Sequence, residues 1–472
     1  MQIAPVDKEG YNLLHEGSIA FSDIQQNGIK IDVSHCKNEY RRLGKELKEQ
    51  EKKLMSHKEI RAWKNTFSKN FNLDSNDQLA IVLYDKLGYE PQKYTEAGGR
   101  ATDQEALNAL QIPMTDDLLR YRKLDKIRNT FLKGLITETC NGWLHPFLNL
   151  NIARTFRSSS DRINIQNQPT RDKESEAIIR KAFRTRGDDY CMVAGDYGGV
   201  EVKGSQWYHC DPVMHKYLNN PDTADMHADF CKSLFRLEGL DESIDGEKTL
   251  RKGTKNGFTF PQFYGDYYGN NAVSLWAWAG LRGKRLTPKR DKSNEVRIRG
   301  DVPIGDHLRD HGIKNFEQFV YHISRVEEEM WYEKFKVYKQ WRDDQWDWYN
   351  KHGYVTILSG FTCKGVMTRN AVINYPIQGV CFHALLWSVI QLNKELKKRG
   401  MKSRIIFQVH DEVVADVHRD EYDDFMEMKK RIMVHDIKDH WSFINTPLEL
   451  EAEASPFGGT WYDLDHAFDY AA

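Results

Sequence analysis

Strand-like texture occurs at two places far apart in this 472-residue chain. Residues 191–202, CMVAGDYGGVEV, form an apolar run that ends in a Gly-Gly step, and residues 403–417, SRIIFQVHDEVVADV, hold two apolar runs interrupted by His410, Asp411 and Glu412. The second block reads as a hairpin with HDE at its turn. The segments before, between and after these blocks repeat apolar residues at three and four positions, the helical spacing. The order helix, strand, helix, strands predicts a mixed α and β (α+β) fold, in which strands about two hundred residues apart can become neighbours in one sheet.

Each block ends a strand on an aspartate, Asp196 after CMVAG and Asp411 after FQVH. Carboxylate oxygens are hard ligands suited to Mg²⁺ or Mn²⁺, and two such groups without His or Cys partners are what a two-metal phosphoryl-transfer site requires. Taken alone, HDE also suits a solvated acidic turn, where Asp and Glu are common.

The helical pattern from about Val33 to Phe147 is rich in lysine, and that from 205 to 350 ends in a stripe of Trp331, Phe335, Tyr338 and Trp341, which at this spacing is core packing. A further helix begins near Tyr375. The length allows two to four domains or subdomains at roughly 100 to 200 residues each. The seven cysteines show no CxxC pair and no zinc spacing, so they read as buried thiols, and the nearby His209, Cys210 and His215 read as structural. The start lacks the charged and apolar regions of a secretory signal, and the most apolar stretch, AVSLWAWAGL at 272–281, is too short to span a bilayer, so a soluble cytoplasmic protein is expected. A net charge of −1 argues neither for nor against nucleic acid, since a basic cleft can be offset by acid elsewhere.

Four motifs in order, DYGGVE (196–201), RKGTKNGFTFPQFYG (251–265), INYPIQG (373–379) and QVHDE (408–412), resemble motifs A and B, the following palm helix and motif C of the family A, polymerase I type, DNA polymerases. Upstream, RTFRSSSDRINIQNQPTR (154–171) and DQLAIVLYDKLGYEP (77–91) are similar to the family's segment before motif A and the start of its thumb, so the resemblance covers nearly the whole chain. It implies a right-hand polymerase fold, with an antiparallel-sheet palm and helical fingers and thumb. The corresponding divisions are a lead-in at 1–32, thumb at 33–150, palm at 151–240 and 355–472, and fingers at 241–354. The implied activity is template-directed DNA synthesis with two Mg²⁺ ions, Mn²⁺ being a possible substitute. Asp196, Asp411 and the carbonyl of Tyr197 would hold the metals, with Glu412 in support.

The resemblance further assigns Arg251 and Lys255, four apart and so on one helical face, to the triphosphate. Phe260 and Tyr264 would stack on the incoming base, Glu201 would be the steric gate against a ribose 2′-hydroxyl, and His227 would lie near the triphosphate. Arg157, Asn164, Gln166, Asn167, Arg171, Asn374, Gln378, Gln408 and His410 would contact template and primer. Amides and guanidiniums can bond the minor-groove acceptors common to every correct pair. Phosphate contacts, including lysines of 38–64, would supply most of the affinity.

Some positions depart from the family pattern. Lys255 precedes Tyr264 by nine residues where the family has eight, so Asn256 holds the strictly spaced position and a bulge or kink near Gly257 and Pro261 is expected. Asn370 and Lys203 stand where the family has arginine. Thumb-like sequence beginning within about 35 residues of Met1 leads to the expectation of no proofreading exonuclease in this chain. The expected partners are primer-template DNA and dNTPs, with a separate exonuclease, helicase or single-strand binding protein as further candidates, no membrane, and a monomeric, phage-like enzyme. A single-subunit RNA polymerase and an inactive DNA-binding scaffold are the alternatives, the first opposed by Glu201 and HDE, the second by retention of Asp196, Asp411, Lys255 and Tyr264 together.

Overall fold

The two remote strand blocks meet in one antiparallel sheet. The computed structural model describes residues 2–471 except 92, 96–97, 155–156, 171 and 221–223, and the side chains of 2–5 and 466–471 are likewise not described. The central strand is β1 (Tyr190–Tyr197). The hairpin of β2 (Arg404–Val409) and β3 (Glu412–His418) pairs with it through β3, and Glu412 lies opposite Asp196. On the other side β1 pairs with β4 (Glu449–Ala454), where Glu451 lies opposite Asp196, and β5 (Asp465–Ala471) completes the order β2-β3-β1-β4-β5.

The β4 strand escaped the sequence reading, although ELEAEA alternates in the strand period: Leu450 and Ala452 are fully buried, while Glu449, Glu451 and Glu453 share the other face. The Gly-Gly step after β1 turns the chain into the helix Val200–His209, with Gly199 at φ 60° in the left-handed region that glycine adopts without a Cβ penalty.

Six helices bear on the site: α1 (Gln104–Leu110), α2 (Asp245–Thr254), α3 (Phe260–Tyr264), α4 (Tyr268–Trp278), α5 (Arg369–Lys398) and α6 (Tyr422–Lys430). The long α5 lies beneath the sheet and is buried on most of its circumference. The Tyr197 hydroxyl meets the Ser388 hydroxyl on α5 at 2.8 Å, tying sheet to helix.

Apolar side chains separate into three cores. The first joins the sheet, α5 and α6 to the helix Lys8–Asn27, which contributes Leu13, Phe21 and Ile24, so residues 8–27 are part of the central body and not a lead-in to it. The second is helical and runs from Val202 to Tyr338, starting upstream of the expected division at 241. The third spans Leu54 to Leu118, while Cys36, Leu43 and Leu124–Leu148 belong to the first.

The aromatic stripe is core as expected: Trp331, Phe335 and Tyr338 are buried, and Trp341 packs against both of the larger cores. Reading all cysteines as buried thiols needs correction, since Cys140 and Cys210 are exposed and the other five are buried. No helix among the described residues is long and apolar enough to cross a membrane.

Candidate active site

Register places three carboxylates side by side. Glu412 on β3, Asp196 on β1 and Glu451 on β4 are direct cross-strand neighbours, so all three project from one face of the sheet. Like charges in such a row repel, and they change the acidities accordingly. Burial, then Glu451 and Asp411, raise Asp196 to about 6. Burial is also the first cause that raises Glu412 to about 7, with Asp196 adding to it.

One cation approaches the row from below. Lys429 on α6 is 1 % exposed, and its ammonium, pushed down to about 7 by burial, feels Glu412 and Asp196. It lies under Gly195, where a Cβ would stand 2.2 Å from its Nζ, so only glycine leaves the space the lysine uses. Its Nζ has no hydrogen-bond partner among the described residues. A second buried lysine, Lys203, sits 3.2 Å from Glu449 on β4, so the residue that departs from the family arginine is an internal tie to the sheet.

Asp411 occupies the two-residue turn between β2 and β3, after His410 in the left-handed conformation at φ 51°. The acidic turn is therefore not simply solvated: Asp411 Oδ1 is buried and lacks a hydrogen-bond partner among the described residues. Arg157 lies between two of the expected site residues, donating to Glu201 and standing 3.6 Å from Asp411. Burial outweighs this cation and leaves Glu201 above the usual glutamate range. Partial burial of the imidazole, then Arg157, lower His410 below its ordinary value.

Gln408 and Gln166, expected to contact primer and template, are both buried. Gln408 Oε1 accepts from Ser158 Oγ at 2.6 Å and from Gln166 Nε2 at 3.1 Å, and Gln408 Nε2 donates to the His410 carbonyl. Their polar atoms thus fix the turn that carries Asp411, and neither amide points into an open groove. Asn164 caps the short turn Ile165–Asn167, Asn167 is exposed, and Arg171 lies outside the described residues.

The second group of expected residues gathers around α2 and α3. The extra residue of motif B is absorbed by a wide turn at Lys255–Thr259, in which the Phe260 N–H donates to the carbonyl of Lys255, five residues back. Such π-type turns accommodate one additional residue within a continuing helix. The bulge expected near Gly257 is this turn, and Pro261, which has no N–H to donate, follows it in the first turn of α3.

The turn also decides which residue faces the site. Lys255 Nζ lies 5.3 Å from the centre of the Phe260 ring, whereas Asn256 donates back to the Lys252 carbonyl. The His227 ring meets Phe260 edge-on at 5.6 Å, and burial, then Lys255, lower it to about 4, so it is neutral at pH 7. Arg251 is held by Asp225, at 2.6 Å, and by Glu242 at 3.3 Å.

A crevice joins the two groups: Glu201, Phe260, Tyr264, Asn374 and Gln378 line it together. Asn374 Nδ2 donates to the Tyr264 carbonyl at 2.8 Å, and Asn370 to that of Gly265 at 3.4 Å, so α5 grips the end of α3. Of the expected nucleotide residues, Glu201, Phe260 and Tyr264 share this crevice and His227 and Lys255 meet the Phe260 ring, Asp196 and Asp411 lie near enough to repel, and Arg251 is engaged by Asp225 and Glu242. Sequence reasoning missed Glu451, Lys429, Ser158 and Asp225. Of these, Glu451 was detectable from the alternation in ELEAEA.

Most of the chain is similar to known proteins. The model of the family described as DNA polymerase family A matches residues 37–276 and 328–463. The DNA polymerase I of Bacillus subtilis (strain 168) is 24 % identical over 462 residues, covering 94 % of this chain and 45 % of that protein. The DNA polymerase of Escherichia phage T5 is 26 % identical over 482 residues, covering 96 % and 52 % respectively. The chain spans about half the length of these relatives. The solved POL domain of Pol1 from M. smegmatis, in complex with DNA primer-template and dNTP, superimposes with a TM-score of 0.70 at 21 % identity, covering 96 % of this chain and 70 % of that one. This likeness shows the fold.

Proposed function

The chain belongs to DNA polymerase family A, and we propose that it adds deoxynucleotides from dNTPs to a primer 3′-hydroxyl as directed by a DNA template. In this reading the central core is the palm, the Val202–Tyr338 core the fingers and the Leu54–Leu118 core the thumb. The observation that carries the reading is the junction of the carboxylate row, and of Asp411 beside it with a buried oxygen that has no hydrogen-bond partner among the described residues, with a crevice walled by Glu201, Phe260 and Tyr264.

The donor set fits divalent metal ions: it is all oxygen, its carboxylates repel one another although Lys429 and Arg157 lie near them, and Asp411 Oδ1 has coordination to offer. Asp196, Asp411 and the Tyr197 carbonyl would hold two Mg²⁺, or Mn²⁺ in their place, which would supply positive charge for activating the hydroxyl and neutralising the phosphates. Glu412 and Glu451 flank Asp196 and keep the site anionic.

The chain's own side chains do the rest. Arg251 and Lys255 bind the triphosphate as charge-assisted donors. His227, neutral at pH 7, contributes a hydrogen bond and no charge. Phe260 and Tyr264 give the base an apolar wall, and Asn374 fixes the end of α3 through the Tyr264 carbonyl. Glu201, held by Arg157, fills the space that a ribose 2′-hydroxyl would require. Arg157 also neutralises part of the charge on Asp411, so its position affects both sugar selection and metal binding.

The test is extension of a labelled primer on a DNA template with Mg²⁺, with dNTPs or rNTPs in parallel and a mismatched primer end in a third arm. Template-directed dNTP addition, slower from the mismatched end, is expected, and Asp411→Ala is expected to abolish addition while leaving primer-template binding nearly intact. Preference for rNTPs would move the chain to RNA synthesis, and binding without extension would make it a scaffold.

A further inference from the structure

Residues 277–327 fall between the two stretches matched by the family, and part of this segment has a charge balance unlike the rest of the chain. Between Gly280 and Arg299 there are eight lysines and arginines against two acidic residues, in a protein of net charge −1. Lys284 and Arg299 stand 3.8 Å from Glu295 and 3.6 Å from Asp241, and the other six cations fall into two sets. One set builds the loop: Arg290 pairs with Glu295 at 2.7 Å and Asp306 at 2.8 Å, Lys292 with Asp306 at 2.7 Å, and Arg297 with Asp301 at 2.9 Å. Leu281 and Leu286 anchor the loop in the second core.

The other set points outward. Arg285 and Lys289 are exposed and have no acidic partner among the described residues. Arg282, half exposed, has Glu105, at 3.9 Å, as its one acidic partner among the described residues. That contact crosses between bodies, because Glu105 belongs to α1, next to the third core. Its neighbours Gln104 and Asn108 line a groove of about 730 Å³ together with Arg122, Lys126 and Asn167. A scaffolded loop that leaves cations free within a few residues of Arg282, which reaches the helix at the edge of this groove, is arranged to meet an extended anion.

Resting on the polymerase reading, we propose that the loop Leu281–Lys292 binds the phosphodiester backbone of DNA lying in this groove, with Arg285 and Lys289 as phosphate contacts and Arg282 bridging the groove's mouth to α1. The loop is a non-catalytic contact that holds the substrate across two bodies of the protein.

The test uses the full chain and the double variant Arg285→Ala/Lys289→Ala, which removes no recorded contact and is expected to melt like the parent. Dissociation constants for a blunt DNA duplex and for a single strand are measured by anisotropy from 50 to 200 mM NaCl. Two phosphate contacts contribute about 1.8 to the logarithmic salt slope on duplex and about 1.4 on a single strand. The parent should therefore lose about 12-fold or about 7-fold more affinity than the variant across that range, and the probe showing the difference identifies the strand form bound. The charge-preserving pair Arg285→Lys/Lys289→Arg should keep the parental slope, and the single-turnover rate at saturating primer-template in low salt should not change.

Equal slopes for parent and alanine variant on both probes, or an equally reduced slope in the charge-preserving variant, would overturn the proposal, as would a slowed single turnover. Failure of the parent to extend a primer would remove the polymerase reading. Extension with unchanged slopes would remove this inference alone.

Discussion

Without divalent metal, the carboxylate row should make stability fall as pH rises from 5 to 7. The folded state holds Glu412 at about 7 and Asp196 at about 6, against ordinary values of 4.5 and 3.8. A carboxyl whose folded pKa is raised contributes stability that is complete below its unfolded pKa and is lost as pH climbs through the folded one. The windows are thus 4.5 to about 7 for Glu412 and 3.8 to about 6 for Asp196. Protonating one of two facing carboxyls relieves the other, so the pair is worth one group's shift, on the order of 3 kcal/mol at 1.4 kcal/mol per unit.

Lys429 acts in the opposite sense above this range. Its folded value is about 7 and its ordinary value 10.5, so the unfolded chain binds the additional proton between them and stability recovers as pH rises beyond 7. A stability minimum near pH 7 should result. For a chain of this size 3 kcal/mol corresponds to roughly 3 °C in Tm. The assay is scanning calorimetry in EDTA from pH 5 to 9, on the parent and on Glu412→Gln, whose difference isolates the row from the rest of the titrating surface. Adding Mg²⁺ should raise Tm more at pH 8 than at pH 5, since it replaces protons on the same oxygens. A difference curve that is flat, or that rises between pH 5 and 7, would refute the electrostatic account of the row.

Three substitutions test particular contacts. Gly195→Ala places a Cβ 2.2 Å from Lys429 Nζ and should cost about 1–3 kcal/mol in urea unfolding; the cost should shrink in a Lys429→Ala background, and additive effects would mean that the two residues do not meet. Lys255→Ala should raise the KM for dNTP by about 10-fold or more, as expected for loss of a charged hydrogen bond, whereas Asn256→Ala, whose amide is already engaged by Lys252, should stay within about 2-fold. The reverse ranking would return the triphosphate role to the strictly spaced position. Glu201→Ala should increase ribonucleotide incorporation and also lower kcat, because it leaves Arg157 with Asp411 as its remaining acidic partner. Unchanged sugar selection would remove the gate assignment.

What could be read from the sequence follows the range over which each signal acts. The strands β1, β2 and β3 were legible because an apolar run is a local pattern, and Asp196 and Asp411 stood out because they break such runs. The β4 strand also had a local pattern, but its three glutamates resembled a solvated segment until Leu450 and Ala452 were seen to be buried. Glycine 195 could not be understood in the sequence at all, since its reason is an ammonium from α6, more than 230 positions away. Motif spacing identified Gln408 and Gln166 as site residues, yet their amides bond one another and Ser158, because the turn that carries Asp411 must itself be held by something buried. Arg157 is the clearest case: a motif match suggests a DNA contact, while its position between Glu201 and Asp411 ties it to the proposed sugar gate and the proposed metal site. Residue type and order therefore indicate which chemistry a site can perform, and the division of labour within it depends on which distant side chain arrives to neutralise, cap or crowd each group.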